Sequence, residues 1–176
     1  ANDLKPEVAR RVAERCKNVV GIKYSFADIA RTVDYININD GRFSVLHGHD
    51  RAMVAMLALG CKGTVSGIAG IFIHKVAYER FLDAPKNIAL EGDLKTAQQY
   101  QKTCVKLVDA LRGGSNMSYF KEALKMRGIQ AGFMRAPQLD LPQEEIDALR
   151  TQLEDICSEA GLQMAEDMLV ANEHID

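Results

Sequence analysis

The sequence lacks any strong excess of charge, any long apolar run and any closely spaced cysteines. Its 22 Lys and Arg residues against 24 Asp and Glu residues leave a net charge of −2, so no basic surface argues for binding to nucleic acid or to an anionic membrane. No apolar run reaches the length of a membrane span, and no charged-then-apolar signal peptide is found at the N-terminus. We therefore expect an ordinary cytoplasmic globular protein, for which 176 residues suffice to build a sizeable core.

The four cysteines lie far apart and follow no metal-binding pattern. None is spaced as in Cys-x-x-Cys, and each stands among apolar residues. We therefore expect buried free thiols in a reducing cytosol rather than disulfides. The four residues are Cys16, Cys61, Cys104 and Cys157.

The first half of the chain alternates between the two periods that are typical of strands and of helices. Short apolar runs predict strands over residues 19–23, 43–48 and 63–67. Strands that alternate with helices of this length indicate right-handed βαβ units and a parallel sheet. The helices are expected over residues 4–16, from Asp28 to Ile36 and from Ala52 to Leu57.

The chain after the third strand is expected to be helical. A long stripe of apolar residues from Leu94 to Leu111 predicts one helix, and the glycines within residues 113–116 end it. We find no internal repeat and no low-complexity linker. Further helices are expected over residues 74–90 with a break at Pro85, over residues 117–127 and from Pro142 onward, with a fraying tail after Leu162.

Lys23 carries the strongest chemical implication in the sequence. It closes an apolar run of four residues, 19–22, and a lysine at the end of a buried strand loses hydration, which favours its neutral amine. A neutral lysine is a nucleophile that forms a Schiff base with a carbonyl. The alternative is a lysine that extends its ammonium group into solvent. Lys23 alternates with Val20 and Ile22, so it points into a barrel interior if helices cover those two residues.

Polar or backbone-exposing residues follow all three predicted strands. Active groups gather at the carboxyl ends of parallel strands. No nucleophile elbow surrounds Ser25 or Ser66, so we expect both serines to donate hydrogen bonds to a substrate carboxylate. The glycines at the second and third strand ends permit close backbone approach to a ligand. The three strand ends read Lys23-Tyr24-Ser25, Gly48-His49-Asp50 and Ser66-Gly67.

The second strand end also permits a metal site. His47 and His49 are two residues apart on a strand, so they share a face, and Asp50 follows them. Such a set is suited to zinc or iron and to a metal-dependent hydrolase. No third ligand has an obvious position, and the alternative is a strand-end histidine that bonds to a neighbouring loop.

Taken in order, these segments resemble a known family. Residues 18–25 resemble the Schiff-base strand of the dihydrodipicolinate synthase / N-acetylneuraminate lyase family. Residues 45–50 resemble its next strand, which usually ends in Gly-x-Asp, and residues 59–67 resemble its last strand. The resemblance covers nearly the whole chain up to Leu162. Glu91-Gly92-Asp93-Leu94, Phe120-Lys121-Glu122-Ala123-Leu124 and Arg135-Ala136-Pro137 follow the family's helical C-terminal part.

The resemblance implies an α/β fold, the C-terminal part of a (β/α)8 TIM barrel followed by a helical segment. Residues 1–72 would form the last three βα units, residues 73–162 the closing barrel helix and the C-terminal helical region, and residues 163–176 a tail. The implied activity is that of a class I aldolase or lyase, which needs no cofactor or metal. It acts on pyruvate, or another 2-keto acid, and an aldehyde-type second substrate through a lysine imine.

The resemblance assigns Lys23 as the imine-forming lysine. It places the backbone carbonyl of Val65 near that lysine. It also implies that the second substrate contacts Ser25 and the loop Gly48-His49-Asp50. Gly67 stands where sialic acid lyases have serine, and Gly70 stands where asparagine is frequent, so the second substrate stays open. The residues expected to bind substrate are Ser25, Gly48, His49, Asp50, Val65, Ser66 and Gly67.

The resemblance begins just after the family's fifth strand. Family members have eight strands, whereas three are predicted here, and three strands do not close such a barrel. The proton-shuttling tyrosine and the Thr/Ser pair that binds the pyruvate carboxylate would precede Ala1. We therefore expect an incomplete enzyme whose first strands come from the same gene or from a companion chain. The homo-oligomer typical of the family is expected here, and the alternative is an inactive half-barrel that only oligomerises.

Overall fold

The structure, a computed structural model, describes residues 3–68 and 94–162. The chain divides into two compact units, of which the first comprises residues 1–66 with 84–101 and the second residues 67–83 with 102–176. The predicted helix over residues 74–90 and the predicted tail after Leu162 lie outside the described residues. No described helix is both long and apolar enough to cross a membrane.

The first unit contains the alternating strands and helices that the sequence predicts, with shorter strands than expected. A 3-10 turn, Asp50–Ala52, joins the second strand to the third helix. The elements in chain order are α1 (Pro6–Arg15), β1 (Gly21–Tyr24), α2 (Ile29–Ile36), β2 (Ser44–His47), α3 (Met53–Ala58) and β3 (Gly63–Thr64).

The helix starts follow from local sequence. Pro6 stands at the first position of α1, where its fixed backbone angle suits the helix and its missing N–H is not needed. Asp28 caps α2, because its carboxylate accepts a hydrogen bond of 2.9 Å from the backbone N–H of Arg31. Such a cap satisfies a backbone donor that has no partner within the helix. The predicted start of α2 is therefore confirmed.

The three strands form a parallel sheet in the order β1-β2-β3. Tyr24 pairs with His47, and Lys23 pairs with Leu46. Paired residues lie on the same side of the sheet, and successive residues alternate between its two sides. One face therefore carries Tyr24 and His47, both buried, and the opposite face carries Lys23 and Leu46, both exposed.

The core of the first unit lies between the Tyr24 face of the sheet and the helices. Val19 and Ile22 pack against it, whereas Val20 is 67% exposed. Lys23 is expected to point into a barrel interior if helices cover Val20 and Ile22; Ile22 meets this condition and Val20 does not, because the strand begins only at Gly21 and its alternation does not extend back. The buried core residues are Ala9, Ala13, Tyr24, Tyr35, Ile38, Phe43, Val45, Met56 and Cys61.

The second unit is helical in its described part, as predicted. The helix α4 (Leu94–Ala110) begins in the first unit, which includes its residues up to Gln101, and its remaining residues belong to the second. It is followed by α5 (Met117–Met126) and α6 (Gln143–Ala160), and α5 packs against α6. The predicted break after α4 is present, and Gly113 adopts a φ of 62° there, which glycine reaches without strain. The predicted domain boundary after residue 72 stays a prediction.

All four cysteines are free, as expected. Cys61, Cys104 and Cys157 are buried, and burial raises the pKa of the thiols of Cys61 and Cys157. The expectation of burial is wrong for Cys16, which is exposed. It directly follows the last residue of α1, where the chain leaves the helix.

Candidate functional site at the carboxyl ends of the strands

Lys23 and Gly48 lie on the same face of the sheet, on the neighbouring strands β1 and β2. A Cβ atom added to Gly48 would lie 2.8 Å from Cε of Lys23 and 2.1 Å from Oγ of Ser25. Real Cβ atoms do not approach other heavy atoms so closely, so the lysine stem and the serine hydroxyl occupy space that only glycine leaves open. The structure therefore brings three of the predicted site residues together.

The backbone holds this arrangement in register. The N–H of Gly48 donates to the carbonyl of Tyr24 at 2.9 Å, which continues the β1–β2 ladder one residue past β2. On the other side of β2, the N–H of Val65 donates to the carbonyl of His47 at 2.9 Å. Two ladder bonds therefore fix the peptide group that joins His47 to Gly48.

The expectation of a buried strand around Lys23 is wrong in the described part of the chain. Lys23 itself is exposed, and on the same side of the sheet Leu46 is 36% exposed and Val65 is 43% exposed. The loss of hydration that the sequence suggested would thus require a further layer over this face. The side chain is accessible to a dissolved carbonyl compound.

Asp50 brings a carboxyl group to the same strand ends. Burial raises its pKa above the ordinary value of 3.8. A hydrogen bond from Ser66 opposes this shift, as do electrostatic contacts with His49, Lys23 and His47. The carboxyl of Asp50 is therefore coupled both to the lysine of β1 and to the serine that follows β3.

His47 differs from the other site candidates because it lies on the core face of the sheet. It is 2% exposed, and its ring centroid lies 6.3 Å from that of Tyr24. Burial lowers its pKa below 6.5, and a backbone contact with Phe26 opposes the shift. Its Nδ1 atom accepts a hydrogen bond of 3.1 Å from the backbone N–H of His49, so His47 supports the loop as a neutral imidazole.

This hydrogen bond matches the alternative in which a strand-end histidine bonds to a loop. The metal hypothesis gains no support, because one nitrogen of His47 already accepts a backbone N–H. Within residues 3–68 and 94–162, no group of three His, Cys, Asp or Glu side chains is arranged to hold a metal ion.

The third strand end places its predicted residues in different surroundings. Ser66 belongs to the first unit and bonds to Asp50. Gly67 belongs to the second unit, where an added Cβ atom would lie 3.2 Å from the ring of Phe120. The substrate-binding role of Gly67 stays a prediction.

One residue near the site was missed by sequence reasoning. Gln101 of α4 donates from Nε2 to the carbonyl of Asp50 at 2.8 Å and accepts at Oε1 from the N–H of Val54 at 2.9 Å. In the sequence it is one polar position in a helical stripe. Its 51-residue separation from Asp50 left no local signal that could have found it.

The arrangement combines an exposed primary amine, two hydroxyl groups and one carboxyl whose pKa is raised by burial. Carbonyl addition and imine formation require an amine and a nearby group that exchanges protons.

Comparison with known proteins identifies the family of this chain. The family model described as the dihydrodipicolinate synthetase family matches residues 1–156. The chain belongs to this family. The predicted resemblance is thereby confirmed, and the candidate site from Lys23 to Gly67 lies wholly within the matched residues.

A curated relative within the dihydrodipicolinate synthetase family is the 4-hydroxy-tetrahydrodipicolinate synthase of Methanocaldococcus jannaschii. It is 29% identical over 160 residues, which make up 89% of this chain and 51% of the relative. The chain thus spans about half the length of the curated relatives it matches.

Solved structures agree with this assignment. A dihydrodipicolinate synthase crystal structure is 28% identical with a TM-score of 0.72, covering 92% of this chain and 52% of the other. The 2-keto-3-deoxygluconate aldolase of Sulfolobus solfataricus, solved with D-KDPG, has a TM-score of 0.75 over 91% of this chain and 51% of the other. At 22% identity it shows the fold alone. These neighbours are TIM-barrel proteins, with which the three parallel strands are consistent.

Proposed function

We propose that this chain carries the Schiff-base lysine of a class I aldolase or lyase that makes or cleaves a carbon–carbon bond to pyruvate. The observation that supports this most strongly is the packing of Lys23 over Gly48 and beside Ser25 at the carboxyl ends of β1 and β2. Family membership adds to it. Its substrates would be those of a dihydrodipicolinate synthase-like enzyme or those of a 2-keto-3-deoxy sugar acid aldolase-like enzyme.

The reaction begins when the amine of Lys23 attacks the ketone carbon of pyruvate or of a 2-keto-3-deoxy acid. Loss of water gives an imine. In cleavage, its protonated form accepts the electron pair of the bond between the α and β carbons, which leaves an enamine on Lys23, while the β-hydroxyl loses its proton and that fragment departs as an aldehyde. In the synthetic direction, the same imine loses a methyl proton, and the resulting enamine carbon attacks an aldehyde. Hydrolysis of the imine releases the product and restores Lys23.

The surrounding residues would hold the substrates. The hydroxyl groups of Ser25 and Ser66 would donate hydrogen bonds to oxygens of the substrates. His49 and Asp50 would contact the second substrate, because they follow the glycine under Lys23. The backbone at Gly48 and Val65, together with Gly67, would allow close approach of the bound keto acid.

The proposed site needs further strands to become complete. The Lys23 face of the sheet is exposed in the described residues, and a three-stranded sheet cannot close a barrel. We therefore propose that an N-terminal barrel half, from the same gene or from a companion chain, supplies the proton-shuttling tyrosine and covers Lys23. The enzyme formed with these strands is called the assembled enzyme below.

The proposal can be tested directly by proton exchange on pyruvate, used as the only substrate. Enamine formation exchanges the methyl protons of pyruvate for solvent deuterium, which proton NMR detects without a second substrate. In the assembled enzyme, Lys23→Arg keeps the charge but loses the nucleophile, so exchange should fall to the uncatalysed rate. Lys62→Arg is the matched control, since Lys62 is also exposed, and should leave exchange intact. Exchange that survives Lys23→Arg would refute the proposal.

The second candidate function is an inactive half-barrel that only oligomerises, as a dimer or a tetramer. It is favoured by the exposed apolar side chains of Val20 and Phe26, which are 67% and 68% exposed, since apolar surface of this kind is what an interface between chains buries. It predicts an obligate oligomer without pyruvate exchange. A stable, well-folded monomer in light scattering would count against it.

A further inference from the structure

We infer that Gln101 is a positioning residue, whose carboxamide holds the turn that carries Asp50 at the candidate site. The inference rests on the proposed function for its link to substrate binding, because Asp50 is expected to contact substrate. The positioning itself rests on the two hydrogen bonds of Gln101, one to Asp50 at the start of the 3-10 turn and one to Val54 in the first turn of α3.

The helix α3 needs such a partner because its own sequence supplies none. Its N-cap residue, Ala52, makes no side-chain cap hydrogen bond, and alanine has no group that could make one. The backbone donors of a first helical turn lack partners within the helix. Val54 is the second residue of α3, and Oε1 of Gln101 accepts its N–H at 2.9 Å. A side chain from a distant helix therefore performs the role of a cap.

The other end of the same carboxamide holds the start of the turn. Nε2 of Gln101 donates to the carbonyl of Asp50 at 2.8 Å. A carboxamide donates from its nitrogen and accepts at its oxygen; a carboxylate would accept only, and a thioether would do neither well. Gln101 thus joins the first residue of the 3-10 turn to the second residue of α3.

This hold fixes where the Asp50 carboxyl sits. The groups that act on that carboxyl come from three strand ends: His47 and His49 from β2, Lys23 from β1, and Ser66 after β3. If the turn were released, the carboxyl would gain water and lose its fixed distance to Lys23. Positioning errors of this kind are costly in catalysis even when they are small.

The test uses NMR of the chain and three variants. Gln101→Met should speed hydrogen exchange of the Val54 amide about tenfold, the effect of roughly one lost hydrogen bond. It should also move the pKa of the Asp50 carboxyl down toward its ordinary value, read from its carbon-13 shift. Gln101→Glu keeps the acceptor but loses the donor, so Val54 should stay protected. Gln98→Met, at an exposed position of α4, should change neither.

Two results would overturn the inference. One is a Gln101→Met variant in which both readouts equal those of Gln98→Met. The other is exchange that rises equally throughout the sheet and α3 in both Gln101 variants, which would mean a purely structural role. Pyruvate exchange separates this test from the proposed function: its absence in the assembled parent enzyme overturns the enzyme proposal, while the NMR readouts still decide whether Gln101 holds the turn.

Discussion

Gly48 lies so close beneath Lys23 that an added Cβ atom would be 2.8 Å from the lysine Cε. Gly48→Ala must therefore displace the stem of Lys23 and rotate the hydroxyl of Ser25. Both can move, so the free energy of unfolding should change by about 1 kcal/mol or less. Displacement of the nucleophile should lower pyruvate exchange in the assembled enzyme by about tenfold or more.

The matched control for this prediction is Gly63→Ala. Its added Cβ atom would lie 3.4 Å from a methyl carbon of Leu46 and would meet neither Lys23 nor Ser25. Its pyruvate exchange should remain near that of the parent. Equal exchange in the two alanine variants would contradict the steric argument.

Substitution of Gly21 should reduce stability, whereas substitution of Gly48 should mainly reduce activity. A Cβ atom there would lie 2.3 Å from the backbone carbonyl oxygen of Ser44 on the neighbouring strand. A backbone atom in a paired strand cannot rotate away, so Gly21→Ala should force β1 from β2 and cost about 3 kcal/mol or more. Urea denaturation should show the loss, and a variant as stable as Gly63→Ala would disprove this packing.

His47 makes stability depend on pH. Its folded-state pKa is lowered by burial, so below about pH 6.5 the unfolded chain binds protons that the folded chain does not. The free energy of unfolding should therefore fall as the pH drops below that value. His47→Asn, which keeps an acceptor for the His49 N–H but does not titrate, should flatten this slope in denaturation from pH 7 to pH 5.

A suitable control is Val45→Ala, which truncates a buried apolar residue of the same strand. It should lower stability at every pH by about 1–3 kcal/mol while leaving the slope unchanged. An unaltered slope in His47→Asn would show that the imidazole is not buried as a neutral group.

Asp50 should contribute with the opposite sign. Burial raises its folded-state pKa, so the folded chain binds more protons than the unfolded chain above pH 3.8, and stability falls as the pH rises through the folded-state pKa. Asp50→Asn should remove that fall. Ser66→Ala should steepen it, because the hydrogen bond from Ser66 lowers the pKa of Asp50. Denaturation curves from pH 4 to pH 7 give both slopes, and identical slopes would contradict the coupling.

Most features of the fold could be predicted from local sequence. The start of α2 at Asp28 followed from capping chemistry, and the end of α4 followed from the glycines near residue 113. The position of Lys23 opposite the core followed from strand alternation, since Ile22 and Tyr24 face the helices. These features depend on residues a few positions apart, which is why the sequence alone predicted them.

The remaining features depend on distant groups. The exposure of Lys23 is set by what covers its face of the sheet, which no local pattern encodes. The bonds of Gln101 join residues about fifty positions apart. The sequence placed His47 on a strand, but its role as acceptor for the N–H of His49 depends on a loop conformation.

Reductive trapping identifies the lysine that forms an imine with pyruvate. The assembled enzyme is treated with pyruvate and borohydride, digested, and its peptides are analysed by mass spectrometry. A reduced pyruvate adduct is expected on Lys23, absent without pyruvate and absent in Lys23→Arg. An enzyme that turns over pyruvate with no adduct, or with the adduct on another lysine, would contradict it.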